Sequence, residues 1–168
     1  MITITAYSTA LQSAVVDLIL PIQREEFGFG VTVDDQPDLL DIPDFYQSGG
    51  GGFWVALDGS TLVGTIALRD IGHHQGALRK MFVKASHRGP GSGVARQLLG
   101  HLVAASTDKG FTDLFLGTTE RFLAAHRFYE KNGFTRIAVE ALPAAFPRMA
   151  VDTRFYHRDL QRVAEPSS

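Results

Sequence analysis

From Phe82 to Gly93 the chain reads Phe-Val-Lys-Ala-Ser-His-Arg-Gly-Pro-Gly-Ser-Gly, an apolar strand running into a glycine-rich turn that opens a helix. Gly89, Gly91 and Gly93 lack a Cβ, so the backbone can curl tightly and approach a ligand while the first unpaired N–H groups of the helix point at it. The helix dipole adds partial positive charge there, and Arg88 adds a full one. A phosphate or pyrophosphate suits such a turn. A dinucleotide fingerprint would need a third glycine three positions after the second, where Arg96 or Val94 stands, depending on the pair chosen. A triphosphate loop would need Gly-Lys-Ser or Gly-Lys-Thr, yet Gly93 is followed by Val94 and Ala95. What remains is Arg-x-x-Gly-x-Gly at a strand-to-helix junction; taken alone, it also suits a flexible turn without a ligand.

A second run lies downstream: Ala125-His126-Arg127-Phe128-Tyr129-Glu130-Lys131-Asn132-Gly133-Phe134. The two runs, about forty residues apart as in a βαβαβ layout, resemble the GNAT superfamily of acyl-CoA-dependent N-acetyltransferases. The first resembles that family's acetyl-CoA-binding motif, and the second its late helix and following strand. The resemblance is strong from Gly76 to Ile137. It implies a single α/β (α+β) domain over residues 1–160, built on a mixed, mostly antiparallel twisted sheet of about seven strands flanked by about four helices, with a polar tail at 161–168.

It also implies acetyl-CoA as cosubstrate. The strand before the loop would splay from its neighbour and bind the pantetheine arm and acyl carbonyl through Met81, Phe82 and Val83. Arg88, Gly89, Pro90, Gly91, Ser92, Gly93 and Val94 would form the pyrophosphate turn, with Thr119, Phe128 and Tyr129 completing the cofactor site. Tyr129 falls where the family often has a general acid; a phenol with an ordinary pKa near ~10 stays protonated at neutral pH and can donate to the departing sulfur. An aromatic beside Phe122, Ala125 and Phe128 also reads as core. Two positions depart from the pattern: Ala85 stands where a proline is frequent, and Phe122 where a cofactor-binding asparagine is frequent, so that contact does not carry over. Thr118 and Thr119 could supply hydroxyls to the same region, or cap a helix.

The base that would deprotonate the amine has no motif. Glu25, Glu26, Asp70, His73, His74 and Glu140 are candidates by residue type, each equally readable as a solvated side chain. His73 and His74 are adjacent, so on a strand they point to opposite faces, and with no third ligand a metal site is rejected. Arg79 and Lys80 precede the cofactor strand; alternation would turn one of them to the cleft, favouring an acceptor with a carboxylate or phosphate beside its amine. Phe27, Phe29, Phe45, Tyr46 and Phe146 could wall an apolar pocket. These features favour a small, amino-acid-like amine acceptor. A protein acceptor, a noncatalytic acyl-CoA sensor or regulatory module, and an interaction domain without cofactor are the competing readings.

Composition sets the outer bounds. With 168 residues, 45% of them hydrophobic, the chain can build one sizeable core. A net charge of −2, scattered without a basic block, gives no reason to expect nucleic-acid binding. No cysteine is present, which removes disulfides, a cysteine nucleophile and thiolate metal sites and fits a cytoplasmic protein. No apolar run approaches the ~20 residues of a membrane span and no leader pattern stands at the N-terminus, so a soluble protein without membrane partners is expected. Folds of this family often pair through late strands or helices, which allows a homodimer.

The elements follow from periodicity. Ile2, Ile4 and Ala6 alternate as a strand, Thr9-Ala10-Leu11-Gln12 has the form of a capping box, and Leu11, Ala14, Val15, Leu18 and Ile19 share a helical face that Pro21 ends or kinks. Residues 36–47 read as a short helix broken at Pro43, and Gly49 to Gly52 as a mobile loop. Strands at 53–57 and 62–68 meet at Asp58-Gly59-Ser60, a hairpin signal. A strand at 77–84 follows, then a helix with Val94, Leu98, Leu102 and Ala105 on one face that ends near Gly110. Next come a strand at Leu114-Phe115-Leu116, a helix at 122–131 capped by Gly133, and strands at 134–139 and 150–156.

Overall fold

The computed structural model describes residues 1–26, 28, 30–89, 91–120, 123–149 and 151–161. Pro90, Phe122, Phe27, Phe29, Ala150 and the end of the tail, all weighed above, lie outside the described residues. In chain order the elements are β1 (Ile2–Ala6), α1 (Gln12–Pro21), α2 (Pro37–Leu40), α3 (Ile42–Phe45), β2 (Gly52–Asp58) and β3 (Thr61–Asp70). They continue with β4 (Gln75–Val83), α4 (Val94–Asp108), β5 (Asp113–Thr118), α5 (Leu123–Lys131), β6 (Thr135–Ile137) and β7 (Arg154–Asp159). The seven strands form one sheet in the order β1-β2-β3-β4-β5-β7-β6. Only β4 and β5 run parallel, as the intervening α4 crossover requires. No helix among the described residues is long and apolar enough to cross a membrane.

Strand alternation sorts the core onto two faces. Ala56, Ile66, Leu68 and Leu78 pack with Val94, Leu98 and Leu102 of α4 and with Tyr129 of α5 on one face. Phe53, Val55 and Ala67 meet Val15, Leu18 and Ile19 of α1 on the other. Burying each of these large side chains contributes ~1.5–3 kcal/mol, which more than offsets the indifferent helix propensity of the β-branched residues in α1.

Two irregularities in β4 shape everything that follows. Its parallel pairing with β5 runs from Gln75↔Asp113 to Ala77↔Phe115 and stops, so the two strands part and open a cleft. On the other edge, Thr65 pairs with Phe82 but Ala67 pairs with Arg79, leaving Lys80 and Met81 both opposite Ile66. This is a β-bulge; Lys80 takes a positive φ of 52°, and the Thr65 hydroxyl donates to its carbonyl at 2.7 Å. A bulge redirects side chains; both Arg79 and Lys80 border the cleft, while the Lys80 ammonium turns to Gln36 and Asp38.

Other local expectations are corrected too. Thr9–Leu11 is a 3₁₀ turn with no side-chain cap, and α1 begins at Gln12. The Gln12 amide reaches the Leu39 carbonyl at 3.5 Å instead of returning to form a capping box. Pro21 closes α1, and the chain continues in a wider π turn over Ile22–Glu26. The glycine run at 49–52 is anchored, not loose. Asp70 accepts from the Gly50 N–H at 3.0 Å, Lys109 donates to the Gly50 and Gly51 carbonyls at 3.0 and 2.9 Å, and Gly52 opens β2. A Cβ on Gly51 would stand 2.1 Å from the Tyr46 carbonyl oxygen, so glycine serves close backbone packing there. The last strands are displaced: β6 spans three residues, Val139–Ala141 is a 3₁₀ turn, and β7 runs on to Asp159. Polar residues extend β7 because their partners are built in: His157 Nε2 lies 2.7 Å from Asp113, and Arg158 donates to the Asn132 carbonyl at 2.9 Å.

Candidate active site

Where β4 and β5 diverge lies a cleft of about 370 Å³. One wall is the β4 run from Leu78 to Val83; the opposite wall is the end of β5, Leu116 to Thr119, with Ala124, Ala125 and Tyr129 of α5. Phe146, Pro147, Met149, Val151 and Asp152 of the loop before β7, with Ile22 and Gln23 after α1 and Arg88 past β4, complete the lining. Arg79 and Val83 are four steps apart, so the stretch between them is roughly 13 Å long at about 3.3 Å per residue.

Past Val83 the chain enters the glycine turn. Gly89 (φ 103°) and Gly93 (φ 70°) lie in the left-handed region, which a side chain would strain. Ser92 closes the turn on the Gly89 carbonyl through its N–H at 3.2 Å and its hydroxyl at 3.1 Å. A Cβ on Gly91 would meet no atom within 4 Å, so this position faces open space suited to a ligand's close approach. Gly93 is the N-cap of α4 without a side-chain cap, and the first-turn amides, Val94's among them, are left by helix geometry for an external acceptor. Val94's own side chain is core, 1% exposed.

Arg88, which also borders the cleft, braces its entrance. Its Nε donates to the Val83 carbonyl at 2.7 Å, and its guanidinium grips Glu26 with both ends of the fork, Nη1 to Oε1 and Nη2 to Oε2, the latter at 2.8 Å. It braces the strand-to-loop corner, so an anion in the turn would be met chiefly by main-chain N–H groups. Glu26 is correspondingly ill placed as a base, because its hydrogen bond to Arg88 holds its carboxyl below the usual range.

Tyr129 lines the cleft although its residue is only 8% exposed. Its ring packs edge-on against Phe128 and Phe134, with centroids 5.7 Å away in each case. The core reading of this residue holds, and the residue also borders the cavity. The hydroxyl donates to Met81 Sδ at 3.7 Å, a weak acceptor that leaves the proton available. Burial pushes the phenol's pKa upward, so it stays protonated. Phe128 supports Tyr129 and is not itself part of the cleft lining. Thr119 lines the cleft, and its carbonyl lies 2.8 Å from His126 Nε2. A carbonyl only accepts, so that nitrogen carries the hydrogen.

Five of the other side chains weighed as bases stand elsewhere. Glu25 and Glu140 are exposed and away from the cleft lining. Asp70, His73 and His74 surround a separate hollow with Lys109 and Phe111, and both histidines hold positive φ in the β3–β4 turn. Tyr46 is no pocket wall; it is fully buried, donating its hydroxyl to Asp38 at 2.5 Å. Phe45 packs against the same cluster, and only Phe146 of the described aromatic candidates borders the cleft.

Sequence reasoning missed two features. One is a buried polar network in which Lys80 Nζ meets Gln36 Oε1 at 2.7 Å and Asp38 at 3.3 Å, while Gln36 and Gln23 exchange amide hydrogen bonds at 2.8 and 2.9 Å. Desolvation lowers the Lys80 pKa, partly offset by Asp38. The other is Asp152, the one carboxylate among the described residues of the lining. Neither carries a motif. Arg79 is the remaining cation of the wall: its guanidinium meets the Met149 sulfur at 3.4 Å and pairs with no carboxylate among the described residues.

Comparison with known proteins agrees with this geometry. Residues 16–134 match the model of the acetyltransferase (GNAT) family. The chain is 36% identical to an acetyltransferase of the GNAT family from Staphylococcus aureus Mu50, with a TM-score of 0.90 over 95% of this chain and 99% of that one. It is 33% identical over 106 residues to rat N-acetyltransferase family 8 member 2, covering 60% of this chain and 46% of that protein. It is also 33% identical over 106 residues to N-acetylaspartate synthetase of Xenopus tropicalis, covering 61% and 38%. The chain thus spans less than half the length of these curated relatives. At 18% identity and a TM-score of 0.71, N-acetylglutamate synthase from Neisseria gonorrhoeae, solved with coenzyme A and N-acetyl-glutamate, shares the fold over 96% of this chain and 36% of its own. With a parted β4–β5 pair, a glycine turn ahead of α4, and a family match over most of its length, the chain belongs to the acetyltransferase (GNAT) family.

Proposed function

We propose that the protein transfers the acetyl group of acetyl-CoA directly to the primary amine of a small, amino-acid-like acceptor. The observation that carries this reading is the layout of one cleft, with main-chain anion donors past Val83, Tyr129 midway, and at the far end Arg79, which pairs with no carboxylate among the described residues. In this reading the Gly89–Gly93 turn and the N-terminus of α4 hold the pyrophosphate. The part of β4 beyond its pairing with β5 runs alongside the pantetheine arm. The acceptor nitrogen attacks the thioester carbonyl carbon, a C–N bond forms as the C–S bond breaks, and Tyr129 gives its proton to the leaving sulfur. The guanidinium fork of Arg79 suits an acceptor carboxylate. The names of two similar proteins point the same way, one a synthetase of N-acetylaspartate and the other solved with N-acetyl-glutamate.

The test is thiol release from acetyl-CoA across free L-amino acids and their decarboxylated amine counterparts. Turnover with at least one amino acid, at a kcat/KM well above that of its decarboxylated partner, is expected. Thiol release no faster than background with every acceptor would contradict the transfer reading. Equal rates for acids and decarboxylated amines would contradict the role of Arg79.

A further inference from the structure

Resting on the transfer reading above, we infer that Asp152 is the group that receives the acceptor's ammonium and takes its proton. It borders the same cleft as Tyr129, from the loop before β7. One oxygen, Oδ2, accepts from the Met149 N–H at 3.2 Å, and the other makes no hydrogen bond among the described residues. The carboxylate lies against the end of β5: a Cβ on Gly117 would stand 2.6 Å from Oδ2, so glycine there leaves the space the carboxylate occupies. Met149 ties the site to Arg79, receiving the guanidinium on its sulfur while its N–H holds Asp152. Asp152 and Arg79, both in contact with Met149, therefore present a minus and a plus charge to one cleft, the complement of a zwitterion with neighbouring ammonium and carboxylate.

The charged groups acting on Asp152 are Arg79 from β4 and Arg148 from its own loop, both favouring the ionised form; burial outweighs them and raises the carboxyl's pKa. A carboxylate raised in this way is a better proton acceptor than an exposed one. The bound ammonium gives one proton to Asp152, which releases it to solvent. The free amine attacks, and the nitrogen loses a second proton as the C–S bond breaks. That proton replaces, through water, the one Tyr129 gives to sulfur.

The experiment compares the wild type with Asp152→Asn, Asp152→Glu and Gly117→Ala, using as acceptor probe the L-amino acid that releases thiol fastest in the panel. Asp152→Asn is expected to lower kcat/KM at pH 7 by about 100-fold. Its deficit should shrink about tenfold per pH unit toward the acceptor's own pKa, as free amine accumulates in solution. Asp152→Glu should recover part of the rate, and Gly117→Ala should lose at least about tenfold by pushing the carboxylate aside. The affinity for acetyl-CoA, read by calorimetry, and the melting temperature should stay near wild type in Asp152→Asn. A wild-type rate and pH profile in Asp152→Asn would overturn the inference, as would a rate loss matched by lost acetyl-CoA affinity. If the wild type itself is silent with every acceptor, the transfer reading fails and takes this one with it, whereas an active wild type with an unaffected variant removes only the role of Asp152.

Discussion

Replacing Tyr129 by phenylalanine separates the core role of this residue from its chemical one. The ring's packing on Phe128, Phe134 and Tyr156 is untouched. What is lost is a hydroxyl whose bond is a 3.7 Å contact to a thioether sulfur. An ordinary hydrogen bond contributes a net ~0.5–1.5 kcal/mol, and one this long to so weak an acceptor less. At about 2–4 °C per kcal/mol for a domain of this size, the melting temperature should move by less than about 3 °C. A positioned general acid, by contrast, contributes ~10²–10⁴ in rate, and the lower figure alone is ~2.7 kcal/mol of barrier. Tyr129→Phe should therefore lower kcat for thiol release by about 100-fold or more while leaving acetyl-CoA affinity within about twofold. A kcat within about threefold of wild type would refute the proton-donor reasoning. A melting temperature lowered by 5 °C or more, on the order of 2 kcal/mol, would refute the claim that the hydroxyl holds little of the fold together.

The Lys80–Asp38 pair has side chains only 7% and 9% exposed, so Lys80→Met should cost ~3–5 kcal/mol in urea unfolding by stranding Asp38. Removing both charges as Lys80→Met/Asp38→Asn should cost clearly less than the two single losses added; simple additivity would show the pair to be uncoupled. Glu26, with its folded pKa lowered by Arg88, contributes stability that is fully present above its unfolded value near 4.5 and lost as pH falls through the lower folded value. The difference in melting temperature between wild type and Glu26→Gln should accordingly shrink below pH 4.5, and a difference constant from pH 6 to 3 would count against the bidentate grip on Arg88.

The parts of the site that follow from local geometry were legible in the residues. Left-handed turns need glycine, so Gly89 and Gly93 announced a loop, and the helix and strand periodicities placed α4, α5 and the parting strand in order. Tyr129 was found only because its neighbours form a recognisable run. What stayed hidden depends on contacts between distant segments. The bulge that sets Arg79 and Lys80 beside the cleft is a mismatch between β3 and β4, and no pattern within either strand records it. Asp38 and Gln36 find Lys80 across some forty residues, and Asp152 gains its setting from Gly117 and Met149. The charge of Arg88 at the corner was legible, but its bracing pair with Glu26, 62 residues away, was not.

In the proposed reaction the turn past Val83 holds a pyrophosphate through its backbone. The direct measurement is a titration of the isotopically labelled protein with coenzyme A, following the amide signals of Gly89, Gly91, Gly93 and Val94, beside the same titration of Gly93→Val. Saturable movement of those amides at micromolar coenzyme A, lost in the variant while its fold persists, is the predicted result. Amides that stay in place at millimolar coenzyme A would contradict the account.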